Sequence, residues 1–305
     1  MTTAPTAVPT TETSATAPGS AAAIQRVGVV GCGVMGAGLA EVCARAGRDV
    51  LLVSSGEASL ARGRGRLERS LGNAVRKGKI SEETREETLA RVTCATDLDA
   101  FHDRQLVLEA APEREPTKLR IFQTLDQVVE DPDAILASNT SALPVIRLAR
   151  ATQRPAQVLG LHFFNPAPVL PLVEVVSSLL TGERVRQTAA EFVTRVLGKQ
   201  AIHAGDRSGF VVNALLIPYL VAAIRMYEAG YADAQDIDKA MTLGCSHPMG
   251  PLALADLIGL DTVAAIATAL YEEFKEPAHA VPPTLSRMVD GGLLGRKTGQ
   301  GFYTY

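Results

Sequence analysis

Short apolar runs bounded by glycine and polar residues recur along the first two thirds of the chain. They alternate with segments whose apolar positions fall on a helical period. The first run, Val27-Gly28-Val29-Val30, is followed by a glycine-rich turn and a helix predicted over 35–46, with Gly47 as its C-terminal stop. Val50-Leu51-Leu52-Val53 supplies a second strand and closes a βαβ unit. Residues 58–92 read as two helices broken at Gly78-Lys79-Ile80-Ser81. Further strands are expected at 106–108, 134–137, 158–161 and 172–175, with a helix over 116–129. Strands of this kind, apolar on both faces, belong to a mostly parallel sheet covered on both sides by helices.

After Gly205 the strand patterns cease and helical ones follow, over 211–228, 234–243 and 262–274. Asp233 is positioned to cap the second of these, with Asp236 in its first turn. The organisation expected is therefore a disordered tail over 1–24, a nucleotide-type α/β domain over 25–204 and an all-α C-terminal domain over 205–305. With no long linker between them, the two domains should pack together and leave a cleft. The tail reading rests on residues 1–20, built almost wholly from Thr, Ala, Pro, Ser and Gly, which cannot bury enough surface to offset the cost of ordering.

Hydrophobic residues make up 47% of the 305-residue chain and charged ones 21%, as in an ordinary folded protein. Thirty Lys and Arg against 33 Asp and Glu leave no strongly basic field, so nucleic acid is not an expected partner. The N-terminus lacks the basic start and apolar segment of a signal peptide. No apolar run is long enough to span a bilayer, so no membrane partner is expected, and a cytoplasmic location follows as the default. Cys32, Cys43, Cys94 and Cys245 show no paired spacing; they read as reduced, mostly buried residues, and no metal site is expected.

Gly31-Cys32-Gly33-Val34-Met35-Gly36 is a G-x-G-x-x-G between a predicted strand and a predicted helix. The first glycine permits the tight turn, the second lets the backbone approach a pyrophosphate, and the third lets the helix pack on the strand. At the end of the second strand, where an acid normally takes the ribose hydroxyls of NAD, stands Ser54, followed by Ser55 and Gly56. A serine there can donate to the 2′-phosphate of NADP, so NAD and NADP both stay open. Four polar features lie in apolar settings farther on: Ser138-Asn139-Thr140-Ser141, His162 in His162-Phe163-Phe164-Asn165-Pro166, Glu174 in the run 172–176, and Asn213. A carboxylate in an apolar strand needs a partner, and an imidazole is the natural candidate.

With these residues in view, the chain resembles the 3-hydroxyacyl-CoA dehydrogenase family, of the short type that includes 3-hydroxybutyryl-CoA dehydrogenases. The motifs are GCGVMGAGLA at 31–40, ASNTS at 137–141, LHFFNP at 161–166, LVEV at 172–175, DRSGFVVN at 206–213, HPMGPLALADLIGLD at 247–261 and GRKTGQGFY at 295–303. The resemblance implies a Rossmann-type, doubly wound, mostly parallel sheet followed by a helical domain through which subunits pair as a homodimer. It also implies an acyl-CoA substrate. By the same resemblance, His162 is the catalytic base, Glu174 orients it, Ser141 holds the substrate oxygen and Asn213 helps position substrate and base. Cofactor contacts are expected at Gly31, Gly33, Val34, Met35, Gly36, Ser54, Glu113, Lys118, Asn139, Asn165 and Lys297. The family's second serine after Asn-Thr is Ala142 here. The basic segment 62–79, with Arg62 and Arg69, would border the coenzyme A phosphates.

Other readings meet specific obstacles. A Ser-His-Glu hydrolase needs a nucleophile on a strand-to-helix elbow, G-x-S-x-G; the nearest match, Gly244-Cys245-Ser246-His247-Pro248, lacks the last glycine and lies among the helices. A non-catalytic nucleotide-binding protein would be expected to lose members of the polar set, yet all four are present. Same-fold dehydrogenases that act on sugar acids or on carrier-protein-bound hydroxymalonyl groups are the nearer alternatives.

Overall fold

The computed structural model describes residues 21–305; residues 1–20 of the expected tail lie outside them. Residues 21–24 are not tail. Ala21–Ala23 forms a 3-10 turn, and Ala21 and Ile24 are buried in the core beside Val185, Ala189 and Phe192. Gln25 fastens the segment, its N–H donating to Gln105 Oε1 (2.8 Å) and its side-chain amide to the Ala22 carbonyl (2.7 Å). Small residues that read as a continuation of the tail here bring Ile24 under apolar cover.

The chain then runs β1 (Arg26–Val30), α1 (Val34–Arg45), β2 (Asp49–Val53), α2 (Glu57–Arg76), α3 (Glu82–Ala90), β3 (Val92–Ala95), β4 (Leu106–Glu109), α4 (Glu115–Val128), β5 (Ile135–Ser138), α5 (Val145–Arg150), β6 (Val158–Phe163), β7 (Leu172–Ser177), α6 (Glu183–Glu191) and β8 (Gln200–Gly205). All eight strands form one sheet in the order β3-β2-β1-β4-β5-β6-β7-β8. Every pairing is parallel except β6 with β7. Alternate strand residues enter opposite layers: Val27, Val29, Leu52 and Leu106 join one apolar cluster, Val30, Leu51, Val53 and Val107 the other. Both faces are thus covered, as the unbroken apolar runs imply. The expectation lacked β3 and β8, the two edge strands. Their residues are mostly half-buried or exposed, so neither carries a continuous apolar run.

The end of α1 follows its sequence: Gly47 turns left-handed (φ +78°), and the Arg48 N–H returns to the Cys43 carbonyl at 3.1 Å. Beyond Gly205 the regular elements are helices: α7 (Val212–Glu228), α8 (Ala234–Gly244), α9 (Pro251–Ile258), α10 (Leu260–Phe274) and α11 (Pro283–Asp290). They share a separate core built on Ile217, Leu220, Val221, Leu252, Val263 and Leu270. Asp233 caps α8 as expected, accepting from the Asp236 N–H at 2.8 Å. No single described helix is long and apolar enough to cross a membrane. Cys32 and Cys43 are buried, but Cys94 and Cys245 are exposed, against the expectation of mostly buried thiols: Cys94 lies on an edge strand and Cys245 just past the end of α8.

Candidate active site

β1 lies inside the sheet with β2 on one side and β4 on the other, so the strand order reverses there. A crevice opens at the carboxyl ends of the strands at such a switch point. The glycine turn occupies it. Gly31 is left-handed (φ +101°), and a Cβ there would stand 2.6 Å from the Ala110 carbonyl oxygen. A Cβ on Gly36 would meet the Gly31 oxygen at 1.8 Å, so α1 packs onto the turn only with glycine at that place. Gly33 has nothing within 4 Å of its Cβ position, which leaves open space over the first turn of α1. Gly33 caps that helix without a side-chain hydrogen bond. The first-turn N–H groups of Val34, Met35 and Gly36 can therefore serve an anion, and a dinucleotide pyrophosphate fits there. Ser54 follows β2 directly and is half-buried. It lies beside the Cys32 thiol, whose pKa burial raises.

Farther along the same edge, the antiparallel β6–β7 pairing sets His162 opposite Glu174. His162 Nδ1 lies 2.7 Å from Glu174 Oε2, and His162 Nε2 lies 3.1 Å from Ser141 Oγ. Both residues of the His162–Glu174 hydrogen bond are buried. An ionised carboxylate only accepts, so Nδ1 carries the proton and Nε2 is left to accept one. The other oxygen, Glu174 Oε1, accepts from the N–H groups of Val211 (3.1 Å) and Val212 (2.9 Å) at the start of α7. The buried Glu174 side chain thus faces three donors, one on the imidazole and two at the N-terminus of α7. Asn213 is the next residue on that helix and is itself buried. Ser141, His162 and Glu174 of the expected catalytic set are thus linked by hydrogen bonds, and Asn213 follows directly on the two α7 amides that Glu174 holds.

Ser141 is held by a second buried network. Glu109, at the end of β4 and fully buried, accepts from Lys118 Nζ at 2.7 and 2.8 Å, from Ser138 Oγ at 2.6 Å and from the Ala111 N–H at 2.7 Å. Lys118 also reaches the Ala111 carbonyl and, at 3.2 Å, Glu113. Glu113 accepts from the Thr140 hydroxyl and from the Ser141 N–H at 3.0 Å. Lys118 and Glu113 therefore build the loop that presents Ser141, and Lys118 is spent on protein partners. Asn139 Oδ1 accepts from the Phe163 N–H at 2.8 Å, tying this loop to β6.

A cavity of about 470 Å³ reaches from α1 to the Ser141 loop, with Met35, Asn139, Ser141 and Leu143 on the sheet side and Asp261, Thr262 and Ile266 of α10 facing them. Lys297 is ion-paired to Asp261 at its edge. A second cavity, about 320 Å³, lies between α1, α2 and the loop at Asn165. Its α2 wall is Arg66, Arg69, Ser70 and Asn73, spaced as one helical face. Asn165, which precedes a cis proline, lines this cavity and not the first. Arg62, one turn earlier on α2, is exposed, donates to Ser59 Oγ at 2.9 Å and lines neither cavity.

Family models match nearly the whole described chain. Residues 26–207 match the 3-hydroxyacyl-CoA dehydrogenase NAD binding domain, and residues 209–305 match the C-terminal domain of the same family. The chain belongs to the 3-hydroxyacyl-CoA dehydrogenase family. It is 57% identical over 283 residues to a 3-hydroxybutyryl-CoA dehydrogenase of Mycobacterium tuberculosis, covering 93% of this chain and 99% of that one. It is 40% identical to the human mitochondrial hydroxyacyl-coenzyme A dehydrogenase, over 92% and 91% of the two chains. Among solved structures, M. tuberculosis FadB2 superposes with a TM-score of 0.92 at 57% identity, over 93% of this chain and 99% of that one. The (S)-3-hydroxybutyryl-CoA dehydrogenase PaaH1 of Ralstonia eutropha gives 0.87 at 40%, over 93% and 99%.

The geometry also separates this dehydrogenase from the hydrolase alternative. Ser141, His162 and Glu174 stand in the order of a nucleophilic triad, but acyl transfer also needs donors for an oxyanion. The amides beside Ser141 are taken: Ser141 N–H and Ala142 N–H both point at Glu113 Oε1, at 3.0 and 3.3 Å. Sequence reasoning missed the α10 wall, where Asp261 and Thr262 stand beside Ala265, Ile266 and Ala269. It also missed Ser70 and Asn73, which the helical spacing from Arg66 and Arg69 could have revealed.

Proposed function

We propose that the enzyme interconverts 3-hydroxybutyryl-CoA and acetoacetyl-CoA with a nicotinamide dinucleotide, as a homodimer in the cytoplasm. The observation that carries this reading is the Ser141–His162–Glu174 relay, whose Ser141 lines one cavity with Met35 in the first turn of α1. A nicotinamide bound there supplies the acceptor or donor of hydride for C3 of the acyl group. His162 Nε2 takes the proton of the 3-hydroxyl in oxidation and returns it in reduction. Glu174 stabilises the imidazolium that forms, as an aspartate does behind a triad histidine. Ser141 Oγ, already on Nε2, holds the same substrate oxygen, and Asn213, on the first turn of α7, helps position substrate and base. Arg66 and Arg69, in the cavity beside α2, are suited to the phosphates and polar chain of coenzyme A.

The four-carbon substrate is supported by the 3-hydroxybutyryl-CoA dehydrogenase of M. tuberculosis, 57% identical over 93% of this chain, and by PaaH1 of R. eutropha. A chain-length series of 3-oxoacyl-CoAs tests it: activity should peak at acetoacetyl-CoA, and a peak at long chains, or none with any CoA thioester, would sink it. Both cofactors remain in view because Ser54 stands where an acid would exclude a 2′-phosphate.

Pairing through the helical part is supported by Leu215, Tyr231 and Leu243, which are 73–85% exposed. Within the apolar run 214–224, Ile217, Leu220, Val221 and Ile224 lie in the chain's own core. Leu215 is the residue of that run left for a partner. Light scattering at micromolar concentration should give twice the chain mass; a monomer would refute pairing.

A further inference from the structure

The turn that joins the sheet to α7 has an unusual backbone, and nothing in the reaction as described uses its most prominent side chain. Gly209 and Phe210 are both left-handed, at φ +74° and +49°. Glycine adopts this freely, but a bulky residue does so only where its surroundings hold it there. The turn is closely held. A Cβ on Gly209 would stand 2.8 Å from the Ala214 nitrogen. The Phe210 N–H donates to the Arg207 carbonyl at 3.0 Å. Ser208 donates through its N–H (3.0 Å) and hydroxyl (2.6 Å) to Glu273 of α10. Asp206 accepts from the N–H groups of Val145 and Ile146, both at 2.7 Å, at the start of α5. One side of the turn is thus fixed to the sheet domain and the other to the helical domain.

Two consequences converge on the relay. The reversal at Phe210 starts α7 with the Val211 and Val212 N–H groups on Glu174 Oε1. The Phe210 ring, 4% exposed, joins the apolar cluster of the sheet domain and lies 5.5 Å from the His162 ring, tilted by 59°. Phe164 meets the same imidazole edge-on at 4.6 Å. The imidazole is therefore fixed at Nδ1 by Glu174 and flanked by two aromatic rings.

We propose that Phe210 is a positioning residue of the relay: its backbone aims two donors at Glu174, and its ring fixes the plane of His162 and keeps water from the Nδ1–Oε2 hydrogen bond. The inference rests on the dehydrogenase reading above. Small misplacements of a catalytic group cost turnover out of proportion to their size.

Phe210→Gly keeps the left-handed backbone and removes the ring, whereas Phe210→Leu refills most of the volume without a flat face. For the glycine variant, kcat with acetoacetyl-CoA should fall about tenfold or more, with KM and dinucleotide Kd within about twofold of wild type. The leucine variant should recover most of it, to within about threefold. Nitrogen NMR of the His162 ring, assigned by its loss in His162→Gln, supplies a readout independent of turnover. Wild type should show Nδ1 protonated in a single form, and Phe210→Gly a mixture of tautomers. If the glycine variant does not fold, the leucine variant carries the test, with a kcat loss of about threefold at constant KM and a perturbed ring signal. Wild-type kcat and a single ring form in a folded glycine or leucine variant would overturn the proposal. So would losses in which dinucleotide Kd worsens as much as kcat. An inactive wild type whose ring signal still responds to Phe210 would instead fault the substrate reading and leave this one standing.

Discussion

His162 and Glu174 are direct neighbours across the antiparallel ladder between β6 and β7, with Nδ1 2.7 Å from Oε2. Opposed residues of an antiparallel pair share a face, so strand register fixes the relation. A substitution at His162 therefore removes the proton carrier without touching the glycine turn, which is built on β1 and α1. His162→Gln should lower kcat by roughly 10²–10⁴-fold. Titration with the dinucleotide should give a Kd close to wild type, and near-normal turnover in the folded variant would remove His162 from the mechanism.

Glu174→Gln should act on both activity and stability. A neutral amide cannot stabilise the imidazolium, and its NH₂ must face either Nδ1–H or the two amide donors of α7. The expected loss is at least about a hundredfold in kcat, by analogy with an orienting carboxylate changed to an amide, together with a lower Tm because a buried donor is left unpaired. A Tm equal to wild type would show that the α7 contact does not hold the domains.

Much of this was legible in the residues, and the illegible parts have physical causes. The strands buried on both faces announced themselves as apolar runs, and Glu174 stood out as a carboxylate within one of them. The antiparallel turn was open to deduction, since residues 164–171 are too few for the crossover that a parallel pair needs. The edge strands were hidden because a half-exposed strand has no fixed hydropathy pattern. The spacing of Glu113 and Lys118 was visible, but their role was not. Only the folded chain shows them bonded to each other and to the Ser141 loop. Phe210 left no signal, because phenylalanine is not a residue type associated with left-handed backbone.

The N-terminus offers a paired comparison. Deleting residues 1–20 should leave activity and Tm essentially unchanged, since their composition gives them little to bury. Deleting residues 1–24 also removes Ile24, which is 5% exposed, and should cost about 1.5–3 kcal/mol in a denaturant titration. Equal stability of the two truncated chains would contradict the burial of Ile24.

Glu41 on α1 gives a pH dependence with a definite sign. It is buried, with one oxygen without a hydrogen-bond partner, and burial raises its pKa against the opposing pull of Ser70 and Arg45. A carboxyl whose pKa is higher folded than unfolded favours the folded state most when protonated, so its contribution declines as pH rises from the unfolded to the folded pKa. Glu41→Gln removes that titration. Its Tm relative to wild type should be highest at neutral pH, decline as pH falls from the raised folded pKa to the usual glutamate value, and level off below it. A difference independent of pH would show that Glu41 bears no desolvation cost.

Ser54→Asp tests the cofactor choice. Ser54 ends β2 beside the Cys32 thiol of the glycine turn, the place from which a Rossmann acid takes the adenosine ribose. An aspartate there could accept both ribose hydroxyls of NAD, while its charge would oppose a 2′-phosphate. One charge-assisted hydrogen bond contributes on the order of 1.5–3 kcal/mol, enough to move the preference about tenfold or more. Wild type should therefore turn over NADPH measurably, and the variant should largely lose that ability while keeping NADH. The measurement is the ratio of kcat/KM for the two cofactors, with acetoacetyl-CoA, in both proteins. Rejection of NADPH by wild type, with the ratio unchanged in the variant, would move the determinant elsewhere. Glu57, in the first turn of α2, is the nearest acid along the chain that could then hold the ribose.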